Sequence, residues 1–424
     1  MAHETSSELY ARAISLMPGG VSSPVRAVKP FPLYISRGQG GLIFDEEGDR
    51  YVDTVLGFGP LILGHAHPSV VKALQEQAAD GTLYGAPHRK EVELAEMVNS
   101  HFPSMEMMRF VSSGTEATMH ALRLARGCTG RDTIVKMDGG FHGAHDSVLV
   151  RSGSGALEHG VPDSLGVPGE VAGNTLVTDY NDPVELSEML DAHRDQVAAV
   201  ILEPMLGNVG PVSPNPGYLK EVRRITEEHG VLLIFDEVIT GLRLSLGGAQ
   251  RAYGVRPDIT VLGKVLGGGL PIGAFGASRE IMSNISPVGK VYQAGTYGGN
   301  PMSLTAGIET IRELDRIGLD GLNAEGERLR SDLARSVRKT GNKVTVRGEA
   351  SMFQVFFGEG PLQNSRQIMT CDRERYMSYY RSMLRLGIYL PPSQFETCFL
   401  CAAHEREDLK VISDSFAQSL EVLE

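Results

Sequence analysis

The chain has 424 residues, 42% apolar and 22% charged, a balance typical of a globular protein with a large buried core. A net charge of −12, from 40 basic against 52 acidic residues, argues against a protein that tracks a phosphate backbone. Apolar runs such as "VAAVI" and "VLLIF" are far short of bilayer length, so nucleic acid and membrane are excluded as partners and a small-molecule substrate is expected.

The opening "MAHETSSELYARAISLMPGG" lacks the apolar region of a signal peptide, so a cytoplasmic protein is expected. Residues 1–60 read as an N-terminal segment, in which "GLIFDEEGDRYVD" predicts two short strands around an acidic turn. From 61 to 310, strand-like apolar runs alternate with helical patterns. "MRFVSSG" leads into "TEATMHALRLARG", "VAAVILEP" precedes "GYLKEVRRITEEHG", and "VLLIFDEV" and "DITVLGK" follow. That alternation predicts an α/β domain with a mostly parallel central sheet flanked by helices. Residues 311–424 begin with a long amphipathic helix, from "IETIRELDRIGL" onward. They continue as short strands and helices ("EASMFQVFF", "ERYMSYYRSMLRLG"), a smaller α+β domain. Between the strands, Ser152 to Gly173 is rich in glycine and proline with no helix or strand period. It is expected to be a loop, a lid with Ser154 at its inner edge.

Cys128, Cys371, Cys398 and Cys401 are too few to frame a chain of this length with disulfides. The C-x-x-C of Cys398 and Cys401 has no second pair or histidine tail to complete a zinc pattern, and reduced core thiols are expected. Neither His65 and His67 nor His142 and His145 have carboxylates at matching spacing, so no metal site is expected.

Ligands of open parallel sheets bind at the carboxyl ends of strands. Glu203 follows "VAAVIL", Asp236 follows "VLLIF", and Lys264 lies just beyond "DITVLG", ahead of three glycines. Taken singly, a carboxylate there serves more often as a cap, and a lysine is more often solvated. Together they are what a pyridoxal phosphate site requires: an amine to bond the cofactor, and an acid to keep its pyridine nitrogen protonated. Ser113, Gly114 and Thr115 open an apolar-periodic helix whose free N–H groups and dipole suit a phosphate, although a plain N-cap would read the same way. The Walker pattern fails, because Val265 follows Lys264.

The set "SSGTEA", "GGFHGAHD", "EPMLGNVGPVSPNPGYL", "FDEVITGLR", "LGKVLGGGLPIGAFG" and "QAGTYGGNP" resembles the class III, fold type I pyridoxal phosphate enzymes. Within that class, "GGVSSPVRA", "GHAHPSV", "GSGALEHGVPDSLGVP" and "YLPPSQFE" resemble an aminomutase branch, the glutamate-1-semialdehyde 2,1-aminomutases. The resemblance implies that Lys264 bonds the cofactor and shuttles protons, and that Asp236 pairs with the pyridinium. It implies a phosphate site of Ser113, Gly114 and Thr115, joined by Thr296 from the second subunit of a homodimer. Phe141 would lie against the ring, with His142 beside the cofactor and Asn208 and Glu203 on its oxygen side. Arg26 would bind the substrate carboxylate, while Ser154 and Glu396 would line the substrate pocket.

Two residues depart from the family pattern. Phe141 stands where many members carry tyrosine, and Phe58 where many carry tryptophan, which this chain lacks entirely. A phenyl ring keeps the stacking surface, so activity is expected to survive. Ordinary class III transaminases grip an α-carboxylate with an arginine near their last strands. Here "LGIYLPPSQFETCFLCAAHE" contains none and places Glu396 there. That glutamate would repel an α-carboxylate and tolerate an amine. An aminomutase is therefore expected, with an ω-aminotransferase using a separate amino donor as the alternative.

Overall fold

The computed structural model describes residues 4–151 and 161–422. Three strands, β1 (Ile35–Gln39), β2 (Leu42–Asp45) and β3 (Arg50–Asp53), form an antiparallel meander. The acidic turn between β2 and β3 is closed by Asp45, whose carboxylate accepts the Asp49 N–H at 2.7 Å and the Tyr51 hydroxyl at 2.9 Å. The two strands expected from this stretch form as read.

A seven-stranded sheet makes the centre of the molecule. Its strands are β4 (Met107–Val111), β5 (Thr133–Met137), β8 (Thr175–Thr178), β9 (Val197–Leu202), β10 (Leu232–Asp236), β11 (Ile259–Gly263) and β12 (Gly273–Ala277), with β6 (Val150–Arg151) and β7 (Val161–Pro162) pairing as a separate short hairpin. The spatial order is β4-β12-β11-β10-β9-β5-β8. Only β12 runs against its neighbours. The reason is local. A parallel return needs a crossover of a dozen or more residues, and the connection from β11 to β12 is a short 3-10 turn over Lys264–Gly267 followed by glycines. β5, β9 and β11 are buried along their whole length, and β9 accordingly reads as an unbroken apolar run, while β5 and β11 also bury Thr133, Lys136 and Thr260.

The long helix expected after residue 307 is in fact two helices, Pro301–Ile317 and Asp320–Thr340. Asn300 caps the first by accepting the Ser303 N–H at 2.9 Å, and Gly318, at φ 68° and ψ 178°, takes a positive-φ extended conformation open to glycine that ends it. The expected structureless stretch 152–173 is only partly so. Val161–Pro162 pairs with Val150–Arg151, and Gly169–Ala172 forms a helical turn. Backbone pairing does not depend on side-chain periodicity, so composition alone could not reveal it. Residues 152–160, Ser154 among them, lie outside the described residues.

The C-terminal region contributes β13 (Thr345–Arg347), β14 (Met352–Phe356), β15 (Ile388–Tyr389) and β16 (Cys398–Phe399). β13, β14 and β16 make a small antiparallel sheet, while β15 runs parallel to β3 and extends the N-terminal meander. Helices Asp320–Thr340, Arg373–Arg385 and Arg406–Val422 cover these strands through a core that includes Leu333, Tyr376, Tyr379, Met383 and Phe416. No described helix is long and apolar enough to cross a membrane.

Candidate active site

Adjacent parallel strands β9, β10 and β11 bring Glu203, Asp236 and Lys264 to one edge of the central sheet. Lys264 has φ 45°, in the left-handed region that strains a residue bearing a Cβ. This bend turns the chain out of β11 and leaves the amine donating to the Phe58 carbonyl at 2.7 Å. Burial lowers the proton affinity of the amine; the carboxylates of Glu396, Glu203 and Asp236 oppose that shift, and the Arg243 guanidinium adds to it.

Asp236 is buried, and each oxygen has a partner. One accepts the Val238 N–H at 3.1 Å, and the other lies 2.8 Å from Nδ1 of His142. A carboxylate can only accept, so Nδ1 of His142 is the donor of this bond and Nε2 is the ring nitrogen it leaves over. That Nε2 is buried without a partner among the described residues, while the His142 carbonyl is held by the Thr118 hydroxyl at 2.6 Å. Glu203 accepts from the Phe141 N–H (2.9 Å), the Gly207 N–H (3.0 Å) and the Asn208 amide (3.1 Å), and burial raises its pKa. It organises the loop carrying Phe141 and the turn carrying Asn208 about one point.

At the far side the helix Gly114–Thr129 begins. Ser113 is its N-cap, accepting the Glu116 N–H at 3.1 Å, and Glu116 returns a bond to the Ser112 N–H at 2.6 Å. The plain capping role is therefore real, and it does not use up the helix end. The N–H groups of Gly114 and Thr115 have no intrahelical acceptor. A Cβ on Gly143 would come within 2.7 Å of Thr115 Cα, so only glycine lets the Phe141 loop close down here.

These groups surround a cavity of about 460 Å³. Its wall includes Ser113, Gly114, Thr115, Phe141, His142, Glu203, Asn208, Asp236 and Lys264, so the residues expected at the cofactor converge. Phe141 stands at the rim, 51% exposed, an unusual place for a phenyl ring. Four expected residues are not in that wall. Ser154 is not described. Thr296 is exposed on the 292–299 loop, and Arg26 is exposed on the Pro24–Arg26 turn, where its charge acts on Tyr389. Glu396 is not part of the wall but is within electrostatic reach of Lys264. Its burial pushes the carboxyl up to about 6 against the pull of the Lys264 amine.

The apolar walls, Val238, Ile239, Leu270 and Ile272, went unnoticed in the sequence. The Phe58 carbonyl had no signal there. Of the histidines weighed as metal ligands, His65 is bonded to Asp53 at 2.7 Å and His142 to Asp236; burial lowers His145 to about 4. No metal-binding group of side chains occurs among the described residues.

An amine, an anion on the neighbouring strand and a helix N-terminus across one cavity make a site for an anionic aromatic aldehyde. The chain belongs to the class-III aminotransferase family, whose sequence pattern matches residues 24–398. It is 55% identical to a glutamate-1-semialdehyde 2,1-aminomutase of Methanothrix thermoacetophila, over 97% of this chain and 95% of that one. It is 51% identical to the protein of that name from Archaeoglobus fulgidus, over 99% and 100%. Among solved structures, an omega-transaminase from Sphaerobacter thermophilus superimposes with a TM-score of 0.94 at 33% identity, covering 99% of this chain and 97% of that one. A glutamate-1-semialdehyde-aminomutase from Pseudomonas aeruginosa PAO1 in complex with PMP gives 0.90 at 25% identity, covering 100% and 95%.

Proposed function

We propose that the cavity holds pyridoxal 5'-phosphate and that the chain is a glutamate-1-semialdehyde 2,1-aminomutase. It converts (S)-4-amino-5-oxopentanoate to 5-aminolevulinate through diaminovalerate, in the supply of tetrapyrroles. The observation that carries the choice of aminomutase is Glu396, a carboxylate facing Lys264 in the segment where a transaminase would need an arginine. Its charge repels an α-carboxylate and accommodates an amine. The two curated relatives named above, matched over nearly their full length, support the same choice.

The residues fit the cofactor. The N–H groups of Gly114 and Thr115, with the dipole of their helix, suit a phosphate dianion. Asp236, oriented by His142, suits a protonated ring nitrogen, and the Phe141 phenyl offers a surface for a flat ring. When bound, pyridoxal phosphate supplies a protonated pyridine that delocalises the electron pair left on the amine-bearing carbon. Lys264 Nζ, kept unprotonated more easily by its burial, would carry the protons: first from the cofactor's amine-bearing carbon to C5 of the substrate, giving diaminovalerate, and then from C4 back to the cofactor as the C4 amine is returned. Asp236 would hold the positive ring nitrogen, and Glu203 keeps Asn208 and the Phe141 loop in register. Arg26 takes the substrate's distant carboxylate.

We further read the protein as a cytoplasmic homodimer in which Thr296 reaches the partner's phosphate site. Exposed Val288, Tyr292 and Tyr297, on the same stretch of chain as Thr296, support this, because large exposed apolar groups are what an interface covers.

The test is a visible spectrum followed by turnover with substrate alone. An aminomutase shows a bound chromophore and forms 5-aminolevulinate without an added amino donor. A requirement for donor and keto acceptor would assign the ω-aminotransferase activity instead, and the absence of any chromophore would remove both.

A further inference from the structure

Arg243 follows the central sheet's Asp236 loop and is completely buried. No carboxylate lies within ion-pair distance of it among the described residues; the nearby titratable group that opposes its burial is Cys401. An unpaired buried cation is costly and calls for a reason. Its hydrogen bonds supply one. One terminal nitrogen donates to the Gly59 carbonyl at 2.5 Å, and the other donates to the Ser351 hydroxyl at 2.9 Å and the Leu400 carbonyl at 3.2 Å. The guanidinium lies 4.8 Å from the centre of the Phe399 ring.

Gly59 is the point where this cluster meets the active site. A Cβ there would lie 3.1 Å from the Phe399 ring and 3.5 Å from Cδ of Lys264, so its backbone is wedged between the ring and the lysine stem. The preceding residue, Phe58, has φ 66°, and its carbonyl is the acceptor of the Lys264 amine. The other end of this turn is fixed separately by Asp53, which accepts the N–H groups of Val55 and Leu56 at 2.8 and 3.0 Å.

We propose that Arg243 is a positioning residue: by clamping the Gly59 carbonyl to Ser351, Leu400 and Phe399, it sets the Phe58 carbonyl against the Lys264 amine and adds an uncompensated positive charge beside it. The fork of the guanidinium is required because a single ammonium cannot span Gly59 on one side and Ser351 and Leu400 on the other. The charge acts on an amine that also faces Glu396, Glu203 and Asp236, and it opposes all three. This inference rests on Lys264 being the reactive amine of the proposed function.

The test reads the amine itself. The full chain, stripped of cofactor and in parallel loaded with pyridoxamine 5'-phosphate, is pulsed with acetic anhydride across a range of pH. Labelling of Lys264 is then followed by peptide mass. R243Q should raise the midpoint of the labelling curve by on the order of one pH unit, since a neighbouring like charge has been removed. R243K keeps the charge and loses the fork. It should leave the midpoint near wild type and raise the plateau labelling rate several-fold, because the Phe58 carbonyl is no longer held on the amine. An unchanged midpoint in folded R243Q overturns the proposal; should R243Q not fold, an unchanged plateau in R243K does so. A purely structural role would lower thermal stability and move neither. If borohydride trapping of the wild type loaded instead with pyridoxal 5'-phosphate maps to another lysine, the functional reading fails even where these two curves behave as expected.

Discussion

Lys136 on β5 and Lys264 at the end of β11 are both taken out of water by the central sheet, and burial lowers the proton affinity of both amines. Their surroundings differ. The Lys136 amine donates to the carbonyls of Val148 and Val150 at 3.1 and 3.2 Å, and so ties the strand β6 to the sheet. It sits within a strand, in ordinary β conformation, and lines no part of the large cavity. The Lys264 amine has one carbonyl partner, a strained φ, and an open side onto the cavity. Desolvation alone therefore does not make a nucleophile. A buried lysine becomes a reagent when its hydrogen bonds leave a direction of approach free and its position is the carboxyl end of a strand.

The most severe way to break that contrast is to remove each amine. K264A should lose at least about 10³-fold in turnover, the scale of an essential proton-transfer group, with its thermal transition unchanged. K136M should do the reverse. It leaves two buried carbonyls without a donor and should lower stability by about 2 kcal/mol while each folded molecule keeps its turnover. Urea denaturation and initial rates on the two variants decide the matter, and a catalytic loss in K136M at full folding would dissolve the distinction.

The anion beside Lys264 sharpens the contrast next. D236N keeps the His142 contact geometrically possible and removes the charge, so the ring nitrogen is no longer held protonated. We expect a fall in kcat on the order of 10²-fold, with the cofactor absorbance per subunit retained. Loss of cofactor with normal kcat in the loaded fraction would make Asp236 a binding residue only. R26K tests the substrate side. Trading a planar fork for a point charge should raise KM about tenfold, equal to about 1.4 kcal/mol, and leave the visible spectrum alone.

The smallest effect is a matter of pH. The Glu396 carboxyl is raised from 4.5 to about 6 in the folded protein, so the folded state binds its proton more tightly than the unfolded chain does. Its contribution to stability is complete below pH 4.5 and is lost as pH rises through about 6. For catalysis the sense is opposite, since the charged form is the one that faces Lys264. The kcat/KM profile should bend downward below about pH 6, and E396Q should abolish that bend at the cost of a several-fold loss at neutral pH. A wild-type profile flat through this range would separate Glu396 from the reacting groups.

Much of the site was legible in the sequence because it is built from local patterns. An apolar run ending in Glu203, Asp236 or the Lys264 turn declares a buried parallel strand and its carboxyl end within a few residues. The Ser113 cap and the helix it starts are legible for the same reason, as is the hairpin turn before Arg50. The boundary of the two helices at Gly318 was available in principle, through a glycine that was read past. What only the tertiary structure decided depends on contacts distant in the chain or made by backbone. Lys264 meets a carbonyl 206 residues away, and a carbonyl carries no residue identity to read. Arg243 was not singled out in the sequence, because its partners are Gly59 and, at the ends of two paired strands of the small C-terminal sheet, Ser351 and Leu400, all distant in the chain. Glu396 owes its raised pKa to burial near Lys264, a property of the folded interior that no spacing within "YLPPSQFE" encodes.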